Sequence, residues 1–553
     1  MPEVLTGRGR FIRCDKKIFL CCYPLGTSNC VLTGLARGTY NRDMSGINGS
    51  IYSYMRDYRA KNKRTVAFVR GRKKTAYGRF FRRVDRVAGG LAALGVKKGD
   101  VVMIATPTIQ QGVTAFYAVS RLGAIASMIH PLMERGEFDE AVREQRPKVV
   151  FLSDINYKKL GKGLKDVKKV LCPFLMDVFV GLPGNAGFTP CESDGSEPAV
   201  YMRSGGTSGV AKTVVLSAAA VNALPDNLFR TLLNNDFGEK DRMLVALPMF
   251  HGFGLLVGIH AAMSTSMAPV LVPVFNVRKV IKAVAANGVT TMIAVPRMIA
   301  KLLSSREFAG ENVVGLRNVY VGGDTVDAEL ENAFDRRMKE AGAKCFMSPG
   351  YGLTETGSVS VLSPVKVGGA AVGKPLDGME CRIVDEDCRE VPFGDVGELW
   401  LAGNQLMLGY LDDPEGTAEA FAEADGKKWV RTGDYFRYLT DGTLFFMGRK
   451  KRLIKISGMN VYPVEIERVA SELPYVTACA AAEVRDNDKP YIALFVEGDL
   501  TEEQKKEIKK RIVYKLSRWH EPKFVICMKE LPRTNVGKTD YKRLNDGLEI
   551  GAE

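Results

Sequence analysis

Apolar residues follow two alternating periods through the first two thirds of the chain. Between positions 81 and 91 they recur every three or four residues, which predicts a helix that Gly95 ends. The run 101–105 is continuously apolar, as in a strand that is buried on both faces. Similar apolar runs, separated by helix-compatible sequence, return at 244–247, 270–273, 291–295 and 318–321. This alternation predicts an α/β fold of stacked, mostly parallel sheets.

The pattern changes in the last third of the chain. After Gly368 it consists of short strands and turns, as at 398–403 and 441–446, which predicts a β-rich subdomain. Beyond Gly448 the sequence carries strand and helix signals of its own. Apolar strands at 491–496 and 524–527 flank one amphipathic helix, marked by Ile508, Ile512, Leu516 and Trp519. We therefore expect a large N-terminal domain over 44–447 and a small, mobile α+β domain over 448–553.

The first 43 residues differ from the rest. They show neither helical nor strand periodicity, and they carry seven Lys and Arg against three Asp and Glu. Four of the eleven cysteines of the chain lie here, at Cys14, Cys21, Cys22 and Cys30. We expect segment 1–43 to be a disordered extension or the product of a start codon assigned too far upstream.

Composition and charge narrow the classes of function. The 553 residues are 46% hydrophobic and 25% charged, as in ordinary globular proteins, and no apolar run is long enough to span a bilayer. The net charge of +15 comes from basic residues interleaved with acidic ones, so nucleic acid is not a predicted partner. A basic surface would suit a polyphosphate ligand or peripheral contact with an anionic membrane equally well. The cysteines form no C-x-x-C pair, which favours reduced thiols and a cytoplasmic location.

The loop 204–212, with the sequence SGGTSGVAK, is suited to phosphate binding. Its glycines let the backbone approach anionic oxygens, Thr207 and Ser208 add hydroxyl donors, and Lys212 adds a positive charge. The loop misses the Walker pattern because Ala211 precedes the lysine. Taken alone, the run could equally be an ordinary flexible loop.

Four further segments decide between these interpretations. In chain order they are YGLTE (351–355), RTGD (431–434), GR followed by GMNVYPVEIE (448–467), and PRTNVGK (532–538). With the loop they have the order and spacing of one family. The chain resembles the adenylate-forming acyl-CoA synthetases, relatives of firefly luciferase and of the adenylation domains of nonribosomal peptide synthetases. The resemblance extends over roughly residues 50–545, and a Walker-type protein would not share the later motifs.

The resemblance implies a reaction in two halves. A carboxylate first attacks the α-phosphorus of ATP and releases pyrophosphate, and a thiol then displaces AMP. In the first half Thr354 would contact the α-phosphate, while Glu355 and Thr207 would hold Mg²⁺. The β- and γ-phosphates would lie on the loop, at Ser204, Gly206, Thr207, Ser208, Gly209 and Lys212.

The same resemblance assigns the nucleoside. Tyr351 and Gly352 would lie against the adenine, near the segment Gly322, Gly323 and Asp324. Asp434 would accept hydrogen bonds from both ribose hydroxyls, with assistance from Arg449. Any one of these residues alone would more simply be a turn or surface residue, and their joint spacing supports the assignment.

Two lysines of the C-terminal domain would serve the two halves. Lys538 would stabilise charge during adenylation, and Lys455, together with Gly458, would serve thioester formation. Lys451 falls at the hinge about which the small domain would rotate. Its neighbour Lys450 is expected only to solvate the surface.

The residues of the acyl pocket bear on the substrate. His251 stands where amino-acid-activating relatives have an aspartate for the substrate ammonium, so an α-amino acid is not predicted. It would lie beside the carboxylate, although a purely structural histidine is the alternative. Small residues at Gly322, Gly323, Ser348 and Gly350 leave room for an acyl chain. We expect a fatty acid of medium or long chain, with short and aromatic acids open.

The acceptor is expected to be coenzyme A. The chain has no room for a carrier domain after Lys538, and the region around Lys455 resembles the thioester-forming members. One alternative is a free-standing enzyme that loads an acyl carrier protein, and another is a silent nucleotide-binding homologue. Two departures from the family pattern, Gly205 for serine or threonine and Ala211 for proline, remove one hydroxyl and some rigidity but no charge.

Overall fold

The structure is a computed structural model of the chain. It describes residues 48–59, 63–184, 187–204, 211–232, 237–265, 267–368, 370–486, 489–533 and 539–546. Segment 1–43 lies outside these residues, so its expected disorder stays a prediction.

Helices and strands alternate up to the phosphate loop, as the periodicity predicts. They are α1 (Ile51–Arg59), β1 (Val66–Arg70), β2 (Lys73–Ala76), α2 (Tyr77–Ala93), β3 (Val101–Ala105), α3 (Gln110–Arg121), β4 (Ile125–Met128), α4 (Arg135–Gln145), β5 (Val149–Ser153), α5 (Asp154–Leu160), β6 (Lys168–Cys172) and β7 (Pro198–Arg203).

The alternation continues after the loop. The elements are β8 (Thr213–Ser217), α6 (Ala218–Thr231), β9 (Arg242–Val245), a π-helix (Phe253–Ala261) that runs into α7 (Ala262–Ser264), β10 (Ala268–Leu271), α8 (Val277–Asn287), β11 (Thr291–Ala294), α9 (Pro296–Leu303), β12 (Asn318–Val321), α10 (Ala328–Glu340) and β13 (Met347–Tyr351).

Short strands then dominate. They are β14 (Val361–Leu362), β15 (Ala371–Pro375), β16 (Met379–Val384), β17 (Gly397–Gly403), β18 (Gly409–Tyr410), β19 (Phe421–Ala424), β20 (Lys427–Tyr438) and β21 (Leu444–Arg449), with α11 (Pro414–Ala420) after β18. The C-terminal part has β22 (Ile454–Ile456), β23 (Met459–Val461), α12 (Pro463–Ser471), β24 (Cys479–Asp486), β25 (Lys489–Glu497), α13 (Glu502–Lys515), β26 (Phe524–Met528) and α14 (Tyr541–Asp546).

Two large sheets organise the first 449 residues. The seven-stranded sheet has the order β18-β8-β7-β4-β3-β5-β6 and is parallel from β7 to β6. The larger sheet is parallel from β1 through β10, β9, β11 and β12 to β13. Beyond β13 it continues as the antiparallel strands β14, β15, β21, β20, β17 and β16. The α/β class with mostly parallel sheets and a β-rich part is therefore confirmed.

The side chains of β3 and β5 show why these strands are continuously apolar. Val102 and Ile104 face the main core with α2 and α3, whereas Met103 and Ala105 face a second cluster with α4 and α5. A strand that is covered by helices on both faces favours apolar side chains, and only Ser153, at the end of β5, is polar. Each fully buried aliphatic or aromatic side chain contributes about 1.5–3 kcal/mol.

The residues after Lys451, the predicted hinge, form hydrophobic cores of their own. One cluster joins α12, α13, β22 and β25, and another joins β24, β25 and α14. The helix predicted from Ile508 to Trp519 ends earlier than expected, because α13 runs from Glu502 to Lys515. Trp519 lies in a separate 3₁₀ turn and still packs, partly buried, against the first cluster.

No helix in the described part of the chain combines the length and the apolar character needed to cross a bilayer.

Candidate active site

Three strands bring the predicted nucleoside-binding residues together. Tyr351 ends β13, while Asp434 and Arg449 are cross-strand partners on β20 and β21. The Tyr351 hydroxyl donates a 2.7 Å hydrogen bond to Oδ2 of Asp434, and Arg449 Nε lies 3.7 Å from Oδ1. Burial and the Asp434 carboxylate hold the pKa of Tyr351 well above its usual range. The tyrosine therefore stays a hydrogen-bond donor at every physiological pH.

The turn before Asp434 is held by its own hydrogen bonds. Thr432 Oγ1 donates to the carbonyl of Leu399 at 2.7 Å and accepts from the amide of Asp434 at 3.1 Å. Gly433 has φ +67°, a conformation that glycine adopts readily, and its amide donates to Glu398 Oε1 at 3.1 Å. These contacts fix the direction of the Asp434 carboxylate, which is 2% exposed.

Lys450 contradicts the expectation that it only solvates the surface. Its Nζ lies 2.9 Å from Oε2 of Glu398, the residue that also binds Gly433. The Glu398 carboxylate raises the pKa of Lys450. The segment after β21 is thus fastened to the turn that carries Asp434.

Lys212 and Glu355 lie on either side of one tyrosine. Tyr410 donates a 3.0 Å hydrogen bond to Oε1 of Glu355, and Lys212 Nζ lies 4.7 Å from the centroid of the Tyr410 ring. Lys212 also forms a 2.8 Å ion pair with Oδ2 of Asp413. This ion pair and the amide of Gly416 lower the pKa of Asp413. Lysine and glutamate, far apart in sequence, are joined in one polar cluster.

Tyr410 and Asp413 are not among the predicted site residues. They are brought to Lys212 because β18 pairs with β8, which places Tyr410 opposite Val214. The Asp-Pro-Glu sequence from Asp413 predicts the start of a helix, and Asp413 does cap α11. Nothing in that local pattern indicates the ion pair with Lys212.

The ends of the phosphate loop are tied together. The amide of Ser204 donates to the carbonyl of Lys212 at 2.9 Å, and Ser204 Oγ accepts from the amide of Lys212 at 3.3 Å. The predicted loop residues Gly206, Thr207, Ser208 and Gly209 lie outside the described residues, as does Lys538.

Gly352, Thr354 and Glu355 belong to a tight turn. Thr354 and Glu355 form a 3₁₀ turn that ends at Gly357, with φ +66°. A Cβ on Gly352 would lie 1.5 Å from the carbonyl oxygen of Ser358, so no other residue fits there. Both Thr354 and Glu355 are half-buried. A single carboxylate fits a Mg²⁺ ion that arrives on nucleotide phosphates and keeps several waters.

The predicted acyl pocket borders this turn. The π-helix follows His251, and its Phe253 ring lies 3.6 Å from the position that a Cβ on Gly322 would take. Next to the π-helix, Gly252 packs against Ser358, and Gly350 packs against Leu362. Gly323 has φ +85° and lies beside Val295, and the neighbouring Asp324 is exposed. Ser358 therefore packs against both Gly252, beside the predicted acyl pocket, and Gly352, beside the predicted α-phosphate site.

His251 itself is exposed, and it has a second histidine nearby. Its ring lies 4.5 Å from that of Phe250, which in turn lies 4.3 Å from the ring of His130. Burial lowers the pKa of His130. Sequence reasoning missed His130, because it lies 121 positions earlier in an unremarkable loop.

Lys455 and Gly458 lie on a hairpin of the C-terminal part, apart from the strands that carry the predicted nucleoside-binding residues. Lys455 lies on β22 and Gly458 lies in the two-residue turn of the β22–β23 hairpin, where Ser457 and Gly458 both have positive φ. Lys455 Nζ lies 3.7 Å from Oε1 of Glu386, and both side chains are exposed. In the described residues, Lys455 is paired with this carboxylate and not with Asp434.

The last helix is fastened next to the predicted hinge. Lys451 is exposed in a 3₁₀ turn, and the following Arg452 forms a 2.8 Å ion pair with Glu467. The Tyr541 hydroxyl donates to the same carboxylate at 3.1 Å, and the Arg452 guanidinium lies 3.3 Å from the centroid of the Tyr541 ring. Burial and the Glu467 carboxylate raise the pKa of Tyr541.

Comparison with known proteins shows the family of the chain. The family model of the AMP-binding enzyme matches residues 55–411, and that of the AMP-binding enzyme C-terminal domain matches 465–538. The 4-coumarate–CoA ligase 4 of Arabidopsis thaliana is 27% identical over 495 residues, 84% of each chain. A long-chain-fatty-acid–CoA ligase of Escherichia coli O6:H1 is 27% identical over 515 residues, 84% of this chain and 89% of that one.

Solved structures show the same fold. ATP-bound MatB from Rhodopseudomonas palustris superposes with a TM-score of 0.82 at 23% identity, over 90% of this chain and 99% of that one. A benzoate CoA ligase from Burkholderia xenovorans LB400 gives 0.80 at 20% identity, over 90% and 99%. The resemblance inferred from five motifs is therefore confirmed over most of the chain.

Proposed function

The chain belongs to the AMP-binding enzyme family, and from that premise we propose that it is an AMP-forming acid–CoA ligase that activates a fatty acid. The observation that carries the nucleotide half of the proposal is the hydrogen bond between Tyr351 and Asp434 beside Arg449. A buried carboxylate with one oxygen fixed and a cation alongside is suited to two adjacent hydroxyls.

In the first half-reaction the substrate carboxylate attacks the α-phosphorus and pyrophosphate leaves. Asp434 and Tyr351 hold the nucleoside, so the α-phosphate comes to the Thr354 turn. Lys212 neutralises charge on the departing phosphates. Mg²⁺, when bound with the nucleotide at Glu355, would neutralise further phosphate charge.

In the second half-reaction the thiol of coenzyme A attacks the acyl carbon and AMP leaves. We assign this step to the hairpin that carries Lys455 and Gly458. Because Lys455 is paired with Glu386, the small C-terminal domain over 448–553, which we call the lid, would turn before that hairpin reaches Asp434.

The acid is apolar and lacks an ammonium group. The wall formed by Phe253, Gly322 and Gly350 contains no carboxylate that could pair with an amino group. Each methylene buried there would contribute about 0.8 kcal/mol to binding. These features support a fatty acid over an amino acid.

A second candidate substrate is an arylpropenoic acid. Phe253 Cε1 lies 3.6 Å from the position of a Cβ on Gly322, so an aromatic ring borders this wall and would pack favourably against a planar substrate. Relatives named as 4-coumarate–CoA ligases are in keeping with this alternative.

We place the reaction in the cytoplasm, which supplies ATP and coenzyme A and keeps thiols reduced. The cysteines in the described ranges form no disulfide, as expected of that compartment. The named relatives are CoA ligases, so nothing among them favours an acyl carrier protein as acceptor.

One assay tests the proposal. Pyrophosphate release is measured with an aliphatic series, 4-coumarate, benzoate and phenylalanine, each with and without coenzyme A. We expect release with aliphatic acids, consumption of coenzyme A in proportion, and no release with phenylalanine. Preference for 4-coumarate would select the second candidate. Release without consumption of coenzyme A would indicate a carrier-loading enzyme, and no release with any acid would indicate a silent homologue.

A further inference from the structure

An exposed apolar surface lies at the far edge of the seven-stranded sheet, away from the phosphate loop. It is formed by residues 173–183, which we call the strap. Along it, Leu175 is 85% exposed, Met176 60%, Val178 41% and Val180 52%. Folded proteins rarely expose a run of large apolar side chains of this kind without a partner.

The strap is firmly held, so its exposure is a property of the fold. Val180 exchanges two backbone hydrogen bonds with Leu171 of the edge strand β6, at 2.9 and 2.8 Å. Phe174 and Phe179 pack inward against the core, and their rings lie 5.4 and 5.5 Å from the guanidinium groups of Arg70 and Arg83. From Met176 to Val180 the exposed residues alternate with partly buried ones.

A helix extends the surface. Oδ1 of Asp154 accepts a 2.9 Å hydrogen bond from the amide of Phe174, which fastens the start of α5 to the strap. The next residue, Ile155, is 50% exposed. Lys158 and Lys159 follow at the three- and four-residue spacing that shares a helix face with Ile155.

Positive charge surrounds the strap. The three segments in contact with or forming this region, 70–74, 79–86 and 154–180, hold fourteen Lys and Arg and four Asp, an excess of ten positive charges. Arg70 and Arg83 bring the first two segments to the strap, through the carbonyl of Phe174 and the carboxylate of Asp177. The basic side chains around it that are exposed include Arg72, Lys73, Lys74, Lys158, Lys162 and Lys165.

Most acidic side chains around the strap already form an ion pair or a hydrogen bond within the protein. Asp177 pairs with Arg83, Asp85 pairs with Arg121, and Asp154 binds the strap amide. Glu134 reaches Lys159 from the neighbouring helix, and Asp166 is exposed. The cationic excess therefore remains large after these pairs.

We propose that the strap and its surrounding lysines and arginines form a docking surface for an anionic lipid bilayer. Leu175, Met176 and Ile155 would enter the headgroup region, and the cations would meet lipid phosphates. A second copy of the chain would bring an equal positive charge to the contact, which disfavours a dimer. The inference goes beyond the ligase activity, because the strap lies at the β6 edge, opposite β8 and the phosphate loop.

Vesicle sedimentation of the full chain tests the proposal. We expect binding to phosphatidylcholine vesicles that contain phosphatidylglycerol, weaker binding at high salt, and little binding to phosphatidylcholine alone. Leu175→Ser with Met176→Ser should weaken binding at least tenfold. Lys158→Gln with Lys162→Gln should weaken it about fivefold for each lysine, since each contributes about 1 kcal/mol.

Matched controls come from the opposite end of the chain. Val365→Ser with Tyr514→Ser removes side chains that are 62% and 86% exposed, and Lys506→Gln with Lys510→Gln removes two exposed lysines at the same spacing. These variants should bind vesicles like the wild type, and every variant should keep pyrophosphate release in solution. Equal loss in the control and strap variants would overturn the proposal. So would absent binding to anionic vesicles, or a dimer that the Leu175 and Met176 changes abolish.

Discussion

The hydroxyl of Tyr351 illustrates how a single buried group prepares a binding site. It holds one oxygen of Asp434 in place before any nucleotide arrives. Since its pKa is raised, the Tyr351 hydroxyl keeps its proton and donates to Asp434, where an anionic oxygen would repel the carboxylate. A ribose therefore meets a carboxylate that is already oriented.

Removing this hydroxyl should weaken ATP binding. In Tyr351→Phe the ring can keep its edge-to-face contact with Phe436, 4.9 Å away, while the hydrogen bond to Asp434 is lost. A hydrogen bond to a charged group contributes about 1.5–3 kcal/mol, so we expect the KM for ATP to rise about tenfold, with a smaller change in kcat. Pyrophosphate release at varied ATP measures both constants.

A matched control is Tyr475→Phe, which removes a 2.8 Å hydrogen bond to Glu507 on the exposed surface of the small domain. It should leave the KM for ATP unchanged. An unchanged KM in Tyr351→Phe would show that Asp434 needs no fixed partner.

The sequence motifs point to residues that the structure brings close together. Tyr351, Asp434 and Arg449 are brought together as their motifs suggest, although their roles in binding stay predictions. Tyr410 could not be found in the same way, because its contact with Lys212 depends on the pairing of β18 with β8. Pairing between distant strands leaves little trace in local sequence.

At the scale of elements, the start of α11 has two functions. Oδ1 of Asp413 caps the helix by accepting a 2.8 Å hydrogen bond from the amide of Gly416, while Oδ2 holds Lys212. A Cβ on Gly416 would lie 2.1 Å from Lys212 Nζ, so a larger residue there would displace the lysine from this ion pair. In the proposed reaction, a nucleotide would compete with the Asp413 carboxylate for Lys212.

Asp413→Asn separates the two functions, since the amide oxygen can still cap the helix. We expect the KM for ATP and the inhibition constant of pyrophosphate to fall about two- to fivefold, in keeping with a half-exposed ion pair. Because the pKa of Asp413 is lowered, the ion pair is complete above the ordinary aspartate pKa and is lost only as the pH falls below it. The difference should therefore be constant from about pH 6 to 8.

The control for this substitution is Asp139→Asn, which breaks an ion pair of similar exposure with Arg135. It should change neither constant. Weaker pyrophosphate inhibition in Asp413→Asn would contradict competition and indicate that Asp413 orients Lys212 for the phosphates.

Elements with strong periodicity were predicted well, and their ends less well. The strand at 318–321 has the predicted bounds, whereas β10 begins two residues before the predicted 270–273. Its position follows from pairing with β9, in which Ala268 lies opposite Arg242. Likewise, Trp519 continues the helical spacing of α13 but belongs to a separate 3₁₀ turn, which Ser517 caps by accepting a 3.2 Å hydrogen bond from the Trp519 amide.

At the scale of the whole molecule, the lid meets the large domain through separate elements. The Tyr462 ring lies 5.8 Å from that of Tyr435, while Lys455 Nζ lies 3.7 Å from Oε1 of Glu386. Lys538 lies three positions before Tyr541 in the sequence. This arrangement is in keeping with a lid that serves adenylation in one orientation and thioester formation in another.

Substitutions of Lys538 and Lys455 should therefore affect different half-reactions. We expect Lys538→Ala to abolish adenylate formation from ATP and to retain thioester formation from supplied acyl-adenylate. Lys455→Ala should show the reverse preference. Pyrophosphate release and acyl-CoA formation, each followed alone, measure the two halves.

Lys510→Ala, at an exposed lysine of α13, is the matched control and should affect neither half. If Lys538→Ala and Lys455→Ala lost the same half-reaction, the assignment of one lysine to each orientation would be wrong.

The cluster of Arg452, Glu467 and Tyr541 limits how the lid can move. It fastens the helix that follows the Lys538 segment to the residue after Lys451. If the lid turns at Lys451, as we propose, both of its ends would turn through the same angle. Withdrawal of Lys538 would then bring Lys455 toward the site in the same motion, which would shorten the life of the acyl-adenylate between the two steps.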